Sequence, residues 1–323
     1  MIKGYWNNHP SSLSIIIANI NFLVYTKLKS SQSGGKSMYH SFSEEELRSL
    51  CRTHIESLEM WARRLIHEKL FEKYGPQYVD YKTSEENYLI KKDVRDHIHK
   101  MLKKEPSRFL RPVDTLFFEH TIYFLCHPRL FQELFQDALK SAYPDGVNEM
   151  RTFLNRLTEI RNALSHANPI SVRQAEQAIC YSQDFIYSLK EYYKAKGEEE
   201  MWNIPRIIRV SDSLGNVYEN PTDSHIDRSI FTPKQELFFG DTYSVSIDVD
   251  SSFSPTEYDI IWKNQNHRVV EFDNKRKFII TFKETDVSQN HSISCTLISH
   301  ESWHKYQYHD CIITLLFPVF PPN

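Results

Sequence analysis

The apolar residues of this chain change their spacing once, and that change sets its architecture. From Ser43 to about Lys196 they recur at steps of three and four; from Arg206 onward they alternate. A period near 3.6 buries a stripe of a helix and a period of two buries one face of a strand, so neither half suits the other's structure. The change falls within "AKGEEEMWNIPR", Ala195 to Arg206, which reads as a charged linker. The expected fold class is α + β multidomain, an all-α helical bundle followed by an all-β sandwich. The expected boundaries are 1–42 for an N-terminal extension, 43–196 for the bundle, 197–206 for the linker and 207–323 for the β-domain. A chain of 323 residues has room for two such cores.

In the first half, Ser43 with Glu46 reads as a capping box opening a long helix. Leu47, Leu50, Cys51, Ile55, Leu58, Trp61, Leu65 and Leu70 form its stripe, and Gly75-Pro76 ends it. A second helical stretch is expected from Ser84 to about Lys104. Pro112 and Pro128 stand where first-turn prolines belong. Met150, Leu154, Leu157, Ile160 and Leu164 make a further stripe, stopped by Asn168-Pro169. Ser171 with Gln174 is a second capping box, opening a helix that carries Ala175, Ala178, Ile179, Ile186 and Leu189. Five or six helices in a bundle are expected. The scarcity of glycine, 8 in all, suits long helices.

The second half offers "RIIRV", "YSVSIDV", "YDIIWK", "KFIITF", "SISCTLIS" and "CIITLLF" as strands between polar turns. With Trp262 in mid-strand and Cys295 on a later strand, it resembles an immunoglobulin-like β-sandwich without the paired cysteines of antibody domains. The five cysteines are scattered and read as buried free thiols of a reducing compartment, with a Cys295–Cys311 pairing left open. The net charge of −3 does not advertise bulk attraction to polyanions, so any nucleic-acid contact must be local. At the N-terminus, "LSIIIANINFLVY" is shorter than the ~18 residues a spanning helix needs. It also lacks the flanks of a signal peptide. A further reading is that translation starts at Met38, "SGGKSM" being what a purine-rich ribosome-binding run would encode in frame. The "GGKS" within it is no phosphate loop, since Ser30 stands where the first glycine belongs.

The segment "EIRNALSHANPIS", Glu159 to Ser171, concentrates the chemistry. Asn162 and His166 are four apart and share a helix face, and the long side chain of Arg161 reaches the same patch. The stripe Leu157, Ile160, Leu164 anchors the helix elsewhere. A guanidinium can hold a phosphate oxygen and stabilise its growing charge. An imidazole beside it can exchange protons as general acid or base, worth ~10²–10⁴ in rate. Asn162 suits orientation or phosphate contact rather than proton transfer.

A helical bundle whose penultimate helix ends in "RNALSH" resembles a HEPN domain, the motif matching at Arg161, Asn162 and His166. The entry helix, "LRSLCRTHIESLEMWARRLIHEKLFEKYG", is similar to that family's first long helix. The resemblance covers roughly residues 43 to 196. It implies a metal-independent endoribonuclease with no cofactor, acting as a homodimer whose two motifs line one cleft. The RNA 2′-hydroxyl attacks its own phosphodiester and leaves a 2′,3′-cyclic phosphate. It further implies a cytoplasmic bacterial toxin or antiviral defence effector, with an antitoxin or sensor protein as partner. The alternative is a non-catalytic HEPN scaffold that binds nucleotide or a partner protein, with the β-sandwich as interaction module.

A competing motif, "HESWH" at His300–His304, matches the H-E-x-x-H of zinc peptidases, with Glu301 as base. Its setting between two strands leaves no room for the helix that chemistry needs. His97 and His99 alternate on a helix and read as solvent-facing; His120 and His127 read as core-edge residues. Lys103, Lys104, Arg108 and Arg111 around Phe109 offer a local basic patch for RNA phosphates, against the reading of an ordinary solvated turn. Glu56 and Glu59 are within reach of Arg161 but read as solvated. Phe238, Phe239, Tyr258 and Trp262 read as sandwich core.

Overall fold

The structure, a computed structural model, describes residues 42–105, 109, 111–219, 229–264, 267–272 and 275–322, with the backbone alone at 219, 229 and 267–272. The apolar N-terminal segment, Met38 and Arg108 lie outside the described residues. The chain divides into two compact units, with the boundary between Asn203 and Ile204.

The first unit is helical. Helix α1 (Glu44–Tyr74) opens on the Ser43–Glu46 capping box and is followed by α2 (Lys92–Lys104) and α3 (Phe118–Leu125). A continuous helical run then links α4 (Pro128–Leu130), a π-helical stretch (Phe131–Phe135) and α5 (Gln136–Leu139). Helices α6 (Val147–Ser165), α7 (Val172–Ala195) and the short α8 (Glu199–Trp202) complete it. The second helix is shorter than its expected range. Residues 84–89 form bends around the bridge between Lys82 and Tyr88, and the helix begins at Lys92.

The core of this unit is the seam between α1 and α7. Leu58, Trp61, Leu65, Ala178, Phe185 and Leu189 are fully buried there. The Tyr193 hydroxyl reaches from α7 to donate to Glu68 Oε2 on α1 at 2.8 Å. The expected linker is partly folded. Gly197, at φ 70°, ends α7 and turns the chain back. Trp202 of α8 then stacks on Tyr193 at 5.4 Å, and Asn203 Nδ2 donates to the Lys190 carbonyl. An indole can bury its ring there, so a segment that looks charged in sequence is drawn onto the bundle.

The second unit is built of two sheets. One, in the order β2-β1-β5-β8, joins β1 (Ile207–Asp212), β2 (Val217–Glu219), β5 (Thr242–Val249) and β8 (Lys277–Thr281). The other runs β3-β10-β9-β6-β7, with β4 also on β10. Its strands are β3 (Ser229–Phe231), β4 (Leu237–Phe238), β6 (Tyr258–Asn264), β7 (His267–Phe272), β9 (Ser288–Ser299) and β10 (Cys311–Phe320). Burial alternates strictly along β10, so one face of that strand is apolar core. The inner faces of the two sheets meet through Tyr243 against Phe317 (5.4 Å) and Trp262 stacked on Phe278 (5.5 Å). Trp262 stands opposite Cys295 and donates from Nε1 to the Lys275 carbonyl at 2.8 Å, which satisfies its one buried polar atom.

Several side chains differ from their sequence reading. Phe239 is exposed rather than core. Cys295 pairs in register with Ile313, so Cys311 lies diagonal to it, and both are buried free thiols. Cys180 is exposed, not buried. Among the described residues no helix is long and apolar enough to cross a membrane.

Candidate functional site

Helix α6 carries Arg161 and Asn162 in its last turns and ends at His166. Its termination is a Schellman turn. The Asn168 N–H donates to the Ala163 carbonyl at 2.9 Å and the Ala167 N–H to that of Leu164 at 3.4 Å. That geometry requires a left-handed residue after the cap, and the chain supplies Ala167 at φ 56° where glycine is usual. Among the described residues it is the one non-glycine with positive φ. Ala167→Gly is expected to stabilise the unit by about 0.5–1 kcal/mol, the relief of left-handed strain less the added freedom of the unfolded chain. A higher denaturant midpoint at unchanged slope checks it; a lower midpoint contradicts it.

Leu164 and Ile170 are buried on either side of this turn, and residues 165–169 between them are exposed. His166 therefore stands out on a short loop with both ends anchored. The residue is exposed, and its imidazole makes no hydrogen bond or ion pair among the described residues. From α1, the Arg48 guanidinium crosses to this turn. Nη2 donates to the Leu164 carbonyl at 2.9 Å and Nη1 donates to the Asn168 carbonyl. Sequence reading missed Arg48, since its only signal is a cation in the first turns of α1.

Arg161 is half-buried and its Nη1 donates to Asn162 Oδ1 at 3.4 Å. The same nitrogen lies 3.8 Å from Glu119 of α3. Both partners are partly exposed, so that ion pair contributes about 1 kcal/mol or less, and an incoming phosphate can displace it. Behind it, Glu59 is not solvated as expected. It accepts from Arg63 Nη2 at 2.6 Å, and that same nitrogen also donates to the Leu116 carbonyl. Burial holds the Glu59 carboxyl above the usual range, against the opposing pull of Arg63 and Arg161. Arg161 thus projects from a charged cluster whose inner member is half-buried. Glu56 is exposed.

Beside Glu119 lies a group of rings. Phe117, half exposed, stacks on His120 at 5.3 Å, and His97 packs against both. His97 is therefore not solvent-facing: its Nε2–H donates to the Thr115 carbonyl at 2.8 Å, while His99 turns to Asp80. Burial, then the neighbouring His97, pushes the His120 imidazole below its ordinary value. His127 accepts from the Leu130 N–H and caps α4.

The remaining candidates disperse. Of the expected basic patch, Arg111 is withdrawn into a buried pair with Asp114 at 2.7 Å, and Lys104 faces Glu105 at 3.6 Å. His300 and His304 lie in the loop after β9, with no helix there. They approach different carboxylates: His300 lies 3.3 Å from Asp259, and His304 lies 3.2 Å from Asp310. Asp310 also accepts from the Ser299 and Lys305 N–H groups, which makes it a loop brace. Among the described residues no three His, Cys, Asp or Glu side chains gather as a metal would require. Arg161, Asn162 and His166 share one helix end, with Arg161 bonded to Asn162 and His166 on the exposed turn. No protein-family model, curated protein or solved structure matches this chain.

Proposed function

We propose that the helical unit is a HEPN-type endoribonuclease and that Arg161 and His166 carry the reaction, with Asn162 orienting them. The observation behind this reading is the helix end itself. An imidazole with no hydrogen-bond or ion-pair partner among the described residues is exposed there, one turn beyond a guanidinium held by Asn162 and a weak, displaceable carboxylate. In the reaction a base takes the proton of a ribose 2′-hydroxyl, whose oxygen forms a bond to phosphorus. The P–O5′ bond breaks, and an acid protonates the departing 5′-oxygen. Arg161 neutralises charge on the non-bridging oxygens as it builds. One chain supplies one imidazole where the reaction uses a base and an acid, which favours two chains mated around a shared cleft. The second unit, read as an immunoglobulin-like sandwich, then binds or senses the partner that controls the nuclease. A bacterial defence or toxin role follows from the resemblance.

The test uses purified protein and a single-stranded RNA in excess chelator. Fragments ending in 2′,3′-cyclic phosphate are expected. Cleavage that disappears with chelator would contradict the reading, and binding without turnover would favour the scaffold alternative.

A further inference from the structure

We propose that Arg48 is a positioning residue for His166, an inference that rests on the ribonuclease reading above. The imidazole has no hydrogen bond of its own among the described residues, so its place is set by the backbone that carries it. That backbone is a turn of five exposed residues between the buried Leu164 and Ile170, with Ala167 in a left-handed conformation that alanine adopts only at a cost. The Schellman bonds close the turn from within.

Arg48 closes it from outside, from a helix more than a hundred residues earlier in the chain. Its two terminal nitrogens take the carbonyls of Leu164 and Asn168, one on each side of His166. A guanidinium is planar and its nitrogens keep a fixed spacing, so the pair of bonds fixes the relative position of the two carbonyls and of the residue between them. Arg48 is also a cation at a helix C-terminus, where the backbone dipole favours it. A lysine at this position has a single ammonium and lacks the fork.

The test compares full-length Arg48→Ala, Arg48→Lys and Arg48→Ala/Ala167→Gly with the native chain. Displacement of a reacting group by about 1 Å costs up to about a hundredfold in rate. Arg48→Ala is therefore expected to lower kcat by about ten- to a hundredfold with KM within about twofold, with Arg48→Lys in between. Adding Ala167→Gly restores stability and leaves kcat low. The proposal is overturned if kcat is unchanged in Arg48→Ala, or if it recovers together with stability in the double variant. A second readout is the ring signal of His166 in histidine-labelled protein: single and sharp in the native chain, split or broadened in Arg48→Ala. A native chain that cuts no RNA removes the ribonuclease reading, while the ring signal still decides the positioning, and an identical signal in Arg48→Ala overturns it.

Discussion

His166→Ala lowers the rate of RNA cleavage by about 10²–10⁴, the range that loss of a general acid–base group produces. Arg161→Ala gives a fall of similar size, because it removes charge that is needed only as the phosphorane forms. Both effects are expected in kcat and in kcat/KM alike, the signature of an interaction made in the transition state. The two variants should fold as the native chain does. His166 is exposed, and Arg161 gives up a long contact to Asn162, the weak pair with Glu119 and part of the positive charge near Glu59, which Arg63 still holds. Steady-state rates on a labelled RNA, with a thermal melt as control, check this. A variant that melts as the native protein and cuts at the native rate would place the chemistry elsewhere.

Unfolding of the helical unit is expected to become easier as pH falls from about 6.5 to 4. His54, in the middle of α1, is held by burial at a pKa of about 4. In the unfolded chain it binds its proton at about 6.5, so between those values the unfolded state carries more protons. Its contribution is fully present above pH 6.5 and is lost as pH drops through that window, by about 3 kcal/mol at most. His120 and His127 are lowered too, and act in the same direction. Glu59, raised by burial, acts in the opposite one. His54→Leu isolates the effect, since it fills the site without titrating. Urea midpoints of the native chain and the variant should diverge between pH 7.5 and pH 4, the native chain losing more. Parallel curves would contradict the assignment.

What sequence made visible was local. Both capping boxes form as read, because a serine oxygen and a side chain three residues on need only each other and the backbone between them. The six alternating strands read from sequence all form for the same reason, while β2, β3, β4 and β7 were not read and β10 outruns its expected end. The stretch "CIITLLF" ends at Phe317, yet the strand runs on through Pro318 to Phe320, with a shift in register between Phe317 and Val319 that accommodates the proline. Contacts made at long range were not legible. Nothing near Arg48 in sequence announces that it meets the end of α6; the reach of Glu59 to Arg161 was readable, but neither Glu119 nor the withdrawal of Glu59 from solvent was. The short polar stretch before Lys92 reads as helix because its charges suit one, although it forms bends. Trp202 hid among glutamates, and only the place of Tyr193 in the last turn of the preceding helix reveals why it folds back. At the candidate site the three motif residues were readable. The strained turn that presents His166, the clamp that holds that turn and the ring cluster beside Glu119 came only with the fold.

The chemistry of the whole chain turns on whether an accessible imidazole at one helix end cuts RNA. Expression of the native chain and of His166→Ala in a bacterium, followed by sequencing of cellular RNA ends, answers that directly. The ribonuclease reading predicts new ends with cyclic phosphate in cells carrying the native chain and their absence with His166→Ala. Identical end profiles for the two strains, with both proteins present at equal level, would contradict it.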